Sequence, residues 1–264
     1  MNIRILCLTI LLSGFAGFAG KNDLPHGING EEPKLKGQAI KYIPGDNYTR
    51  GYLATPKKKK KSRGAVVLIH EWDGLNNRVR SVADALAKEG YIALCVDYYK
   101  GHIGQTQADN RKLIQKAQED PKALIDNLNH AIRHLRERGD VGKIAIIGWG
   151  FGGKLALDMA IKGDAHDTTG IFYGRLDQKP EDLKKISHSI FGIFGGRDRA
   201  ITPKKVEAFD QALNKAGIAH EFHSYPKVNH GFFLWVDRDY EYNADPAKEA
   251  WGHLLAYLKK TIRK

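Results

Sequence analysis

The chain has 264 residues, 42% hydrophobic and 27% charged. That length and balance suit one large packed domain and exclude a disordered or low-complexity protein. Its 42 basic and 30 acidic side chains give a formal charge of +12, yet no recognised nucleic-acid-binding motif accompanies the charge, so nucleic acid is not an expected partner. Much of the excess is local, in Lys34, Lys36 and Lys41, in the run Lys57, Lys58, Lys59, Lys60 and Lys61, and in Lys259, Lys260, Arg263 and Lys264. The five-lysine run reads as a solvated loop, with weak adsorption to anionic surfaces as the sharper reading.

Residues 1–20 differ from the rest. Arg4 is their one charge, an apolar run follows over 5–12, and small residues continue to Gly20. Gly17-Phe18-Ala19 supplies a small-x-small cleavage site, so this segment is expected to be a secretory signal peptide cut near Ala19, with residues 21–264 exported as a single domain. The apolar stretch is too short and Gly-rich for a membrane span, which needs about 20 apolar residues. Of the two cysteines, Cys7 would leave with the signal. Cys95 lies within an apolar strand and reads as a small buried hydrophobe rather than a nucleophile.

In chain order, 37–43 and 48–54 read as strands joined by the turn Pro44-Gly45-Asp46-Asn47. The apolar run 65–70 predicts a strand buried on both faces, as in a parallel sheet. Val79, Val82, Ala83, Leu86 and Ala87 make one face of a helix over 77–89, ended by Gly90. A strand at 91–96 precedes helices near 106–118 and 121–137, the second opened by Pro121. Strand 143–147 leads into a glycine-rich turn and a helix at 154–160. Strands at 170–173, 189–194 and 220–225 follow, with helices near 203–216 and 246–262. This alternation predicts an α/β fold, a mainly parallel sheet with helices on both faces, entered through an antiparallel hairpin. Ligands of such sheets bind at the carboxyl ends of the strands.

Four predicted strands end in chemically informative residues: Glu71-Trp72-Asp73-Gly74, Gly148-Trp149-Gly150-Phe151-Gly152-Gly153, Gly195-Gly196-Arg197-Asp198 and Asn229-His230-Gly231. The second has the strand-turn-helix setting of a nucleophile elbow, G-x-nucleophile-x-G, with Gly150 at the nucleophile position. Gly148, Gly150 and Gly153 also fit the dinucleotide pattern G-x-G-x-x-G. That pattern lies past mid-chain here, and the next strand ends in Gly174-Arg175 without an acid. An NADP-binding domain, with Arg175 meeting a 2′-phosphate, is the alternative from a different class. The order elbow, Asp198, His230 is the nucleophile, acid, histidine order of α/β-hydrolases.

From about Gly37 to the last helix, the chain resembles the dienelactone hydrolase family of α/β-hydrolases. The resemblance rests on 67–76, 90–97, the elbow, 172–175, 195–198 and 229–231. It implies a Cys nucleophile at the position that Gly150 occupies. It further implies Asp198 orienting the imidazole of His230, His230 as general base and then acid, and Glu71 beside the nucleophile. The backbone N–H groups of Trp72 and Phe151 would form the oxyanion hole. The arginines that grip a carboxylate in dienelactone-type members are replaced here by Lys100 and His102, and by Phe233-Leu234 after the histidine. The small-molecule partner implied is an ester or lactone, with no cofactor and no metal. His130 and His134, at i and i+4, read as a solvated helix face rather than a metal pair.

Gly150 leaves three hydrolase readings open. The first is a binding protein without covalent turnover. The second is an enzyme in which His230 activates water in the space a side chain would fill. The third is a variant of an ordinary Cys hydrolase.

Overall fold

The computed structural model describes residues 24–57, 64–163 and 166–262. The expected signal peptide and Lys58, Lys59, Lys60 and Lys61 lie outside these residues; Lys57 is exposed. The strands are β1 (Gln38–Ile40), β2 (Gly51–Ala54), β3 (Ala65–Ile69), β4 (Ile92–Val96), β5 (Ile144–Trp149), β6 (Thr168–Phe172), β7 (Ser189–Gly195) and β8 (His220–Tyr225). They form one sheet in the order β1-β2-β4-β3-β5-β6-β7-β8. β2 is antiparallel to both β1 and β4, and every other pairing is parallel. The expected mainly parallel sheet with an antiparallel entrance is therefore the one observed.

The helices are α1 (Asn77–Lys88), α2 (Gln107–Gln118), α3 (Pro121–Glu137), α4 (Phe151–Lys162), the short α5 (Pro180–Leu183), α6 (Pro203–Ala216) and α7 (Tyr240–Thr261). Alternation along β3 shows how two layers are served. Val66 and Leu68 join one core with Val82 and Leu86 of α1 and Trp251 and Leu254 of α7. Ala65, Val67 and Ile69 face a second core with Leu128 and Leu135 of α3 and Leu155 and Met159 of α4. Successive side chains of a strand point to opposite faces, so a strand covered on both sides must be apolar throughout. No described helix is long and apolar enough to cross a membrane.

Four elements differ from expectation. β1 and β2 are shorter than 37–43 and 48–54. The Asp46 carboxylate accepts from the N–H groups of Tyr48 (2.7 Å) and Thr49 (3.0 Å) and from the Thr49 hydroxyl (2.7 Å). These local bonds compete with the ladder and lengthen the turn. α7 begins at Tyr240 rather than near 246, and Pro246 lies inside it. Proline removes one helical hydrogen bond, but buried Asn243, Ala244, Ala247 and Trp251 keep both sides of it on the core. α5 was not expected and is opened by Pro180.

Candidate active site

Four chain segments converge at the carboxyl end of the sheet. At the tip between β5 and α4, Gly150 has φ 50° and ψ −107°, a backbone conformation in which a side chain is strained. Its N–H donates to the Phe172 carbonyl at 2.9 Å, and its own carbonyl accepts from Lys154 N at 3.2 Å. A Cβ at position 150 would lie 2.9 Å from Glu71 Oε1. The flanking glycines serve close packing. A Cβ at Gly148 would lie 2.0 Å from the Gly152 carbonyl oxygen, and one at Gly152 would lie 2.4 Å from that of Ile69. This packing accounts for the dinucleotide-like spacing without a nucleotide. Arg175, the residue offered to a 2′-phosphate, pairs with Asp177 at 2.5 Å.

Asp198, buried after β7, is held by its own loop. Its Oδ1 accepts from Ala200 N (2.8 Å) and Ile201 N (2.9 Å), which leaves Oδ2 for His230 Nδ1 at 2.7 Å. Burial disfavours its charge, but the His230 hydrogen bond and charge and the two amides outweigh it, so its pKa is lowered. For His230, burial works against the imidazolium; Asp198 and Glu71 prevail, and the pKa is raised. The imidazole side chain is 40% exposed, whereas that of Asp198 is fully covered. His230 can therefore meet a solute while its partner stays dry.

Glu71 is 4% exposed. Its Oε2 accepts from the Trp235 indole N–H at 2.9 Å, and its Oε1 lies 3.8 Å from His230 Nε2. Burial raises its pKa against the opposing pull of His230, Trp235, Arg238 and Arg78. The loop carrying it is anchored by the buried His70, which donates from Nδ1 to the Glu71 carbonyl (2.6 Å) and accepts at Nε2 from Tyr98 N (3.2 Å). Trp72, next in the chain, is half-buried. Phe151 is the first residue of α4, where an N–H has no intrahelical acceptor.

Sequence reasoning missed the stack around Trp235 and the place of Tyr173 beside His230. Trp235 is clamped between the guanidinium groups of Arg78 (4.0 Å) and Arg238 (3.7 Å), and Arg78 is fixed by a two-bond pair with Asp237. Tyr173 is fully buried with φ 40°, and its ring centroid lies 5.0 Å from that of His230. Strain of this kind persists only where surrounding structure holds it. Tyr173 lies in a segment quoted for the family resemblance, which is the one signal that pointed to it. Cys95 is fully buried, and burial pushes its thiol far up, as expected of a packing cysteine. His130 and His134 are half-buried beside the loop before β2 rather than fully solvated. A cleft of about 980 Å³ between residues 24–37 and the end of α1 contains none of the convergent residues.

Asp73 borders the site. Burial, and next the charge of Glu71, raise its pKa from 3.8 to about 6, and its Oδ1 has no hydrogen-bond partner among the described residues. Between those two pH values the folded protein keeps a proton that the unfolded chain has lost, so this group makes stability fall as pH rises. Asp73→Asn removes the effect. The variant should match the parent near pH 4 and exceed it by about 3 kcal/mol near pH 7, as read from urea unfolding at both pH values.

Residues 49–262 match the model of the dienelactone hydrolase family. Protein usf of Aquifex pyrophilus is 28% identical over 233 residues, covering 86% of this chain and 99% of its own length. A protein of Saccharolobus solfataricus named "Putative carboxymethylenebutenolidase" is 28% identical over 251 residues, with coverage of 81% and 95%. Among solved structures, a dienelactone hydrolase-like promiscuous phosphotriesterase from metagenomic libraries superposes with TM-score 0.77 at 20% identity, covering 87% of this chain and 99% of that one. In this structure the β5–α4 turn, Asp198 after β7 and His230 after β8 all lie beyond the carboxyl ends of their strands. With a family match running from β2 to the end of α7, the chain belongs to the dienelactone hydrolase family.

Proposed function

We propose that this protein is exported and hydrolyses small esters or lactones by single displacement, with water in place of a side-chain nucleophile. One observation carries the reading: a histidine oriented by a buried aspartate sits beside a glutamate at a turn that lacks a side chain. The 3.8 Å between His230 Nε2 and Glu71 Oε1 is too long for a hydrogen bond and suits one water reaching both. The water oxygen bonds to the carbonyl carbon while its proton passes to His230 Nε2. The oxyanion meets the N–H groups of Phe151 and Trp72. As the C–O bond breaks, the imidazolium returns the proton to the departing oxygen. The names of the curated relatives point to lactones, and the exposed Arg238, whose charge Glu71 feels, favours substrates with an anionic group. Export rests on the apolar N-terminal run.

The test is steady-state hydrolysis of short-chain nitrophenyl esters and simple lactones by the natural protein and by His230→Ala. Loss of the general base should lower kcat by about 10²–10⁴, with no acyl-enzyme detectable by mass spectrometry in either protein. Equal rates for the two would sink the reading and leave a binding protein.

A further inference from the structure

On the far edge of the sheet, Glu221 and His223 of β8 and His253 of α7 form a cluster unconnected with the elbow. One ligand atom from each lies within 4.8 Å of the others, and among the described residues no other trio of His, Cys, Asp or Glu side chains comes so close. Glu221 and His223 are two apart on a strand, so they share a face. His223 Nε2 lies 3.0 Å from Glu221 Oε1. The His223 and His253 rings stack with centroids 3.7 Å apart at 21°, and His253 has no hydrogen-bond partner among the described residues.

We infer that Glu221, His223 and His253 bind a divalent transition ion of the zinc or copper type. Two imidazoles and one carboxylate, all half-buried, match the ligand preferences of these ions and leave a fourth position open to solvent. Metal–ligand bonds of about 2.0–2.2 Å put tetrahedral donors about 3.3 Å apart. Ligation therefore turns the His253 ring out of the stack so that its nitrogen converges on the other two. The ion would tie α7 to β8, the edge strand of the sheet. This site departs from the metal-free expectation of the sequence and is independent of the hydrolytic reading.

The experiment is calorimetric titration of the full, untagged protein with Zn²⁺, repeated with His223→Ala, His253→Ala and, as a control, His134→Ala. One equivalent should bind to the natural protein and to His134→Ala, and affinity should fall at least about tenfold in each cluster variant. Zn²⁺ should raise Tm by a few degrees in the natural protein alone among the cluster set. Cu²⁺ electron paramagnetic resonance on the unsubstituted protein should show two imidazole nitrogens, a readout that does not depend on how the variants fold. Absence of binding, binding of equal strength in His223→Ala and His253→Ala, or a spectrum without paired nitrogens would overturn the assignment.

Discussion

Gly150→Cys should convert slow hydrolysis into a faster covalent reaction. The turn already has the backbone of a nucleophile position, and His230 is already oriented by Asp198 at 2.7 Å. A thiol there gains a base and a nearby carboxylate without any other change, and thiolate attack splits the reaction into acylation and deacylation. Removing the nucleophile from a comparable triad costs about 10⁶ in kcat, so restoring it should give at least about 10². The gain has a structural cost. A side chain at φ 50° is strained by about 1–3 kcal/mol, and its Cβ would press on Glu71 Oε1 at 2.9 Å. The carboxylate must swing, which disturbs its bond from Trp235. The variant should therefore melt at lower temperature while showing a burst of nitrophenol equal to the enzyme concentration and an acyl adduct at residue 150. A variant that folds but shows neither burst nor adduct would mean that position 150 does not face the substrate.

The sheet and the three polar site residues were legible in the sequence because each depends on local pattern. Continuous apolar runs such as 65–70 mark strands buried on both faces, and a polar residue just after such a run marks a strand end. Glu71 and Asp198 stand out this way; His230 lies beyond the polar strand β8 and stands out by the order elbow, acid, histidine. What surrounds them was not legible. The Trp235 bond to Glu71 joins residues 164 apart, and the Arg78–Trp235–Arg238 stack joins α1 to the chain just before α7; no periodicity encodes either contact. Tyr173 is a core aromatic by pattern, and only its φ of 40° and its ring against His230 set it apart. The edge cluster was invisible for the same reason: Glu221 and His223 look like an ordinary polar strand until α7 brings His253 onto them. Pro246 misled in the opposite direction, because a strong local breaker was overridden by the core contacts on either side of it.

Asp198→Asn should cost about 10⁴ in kcat while keeping the fold. The asparagine carbonyl can still accept from Ala200 N and Ile201 N, so the loop after β7 survives. Its amide would then donate to His230 Nδ1, leaving the proton on Nε2, where no base can act. The pH profile separates this from simple damage. Neutral His230 is the active form, so the natural rate rises as pH passes through a pKa that Asp198 and Glu71 hold above the usual value. Without the aspartate the imidazolium loses its main support, and the residual rate should level off at lower pH. Stability gives a second sign. The His230 contribution is complete below the ordinary histidine pKa and fades above the raised one. The Asp198 contribution is complete above the ordinary carboxylate pKa and fades as pH falls through the lowered one. The parent should therefore exceed the variant most between about pH 4 and 6.5, with the margin shrinking on both sides. A variant whose rate falls while its profile keeps the parent's midpoint would show that the titrating group behind the activity is not His230.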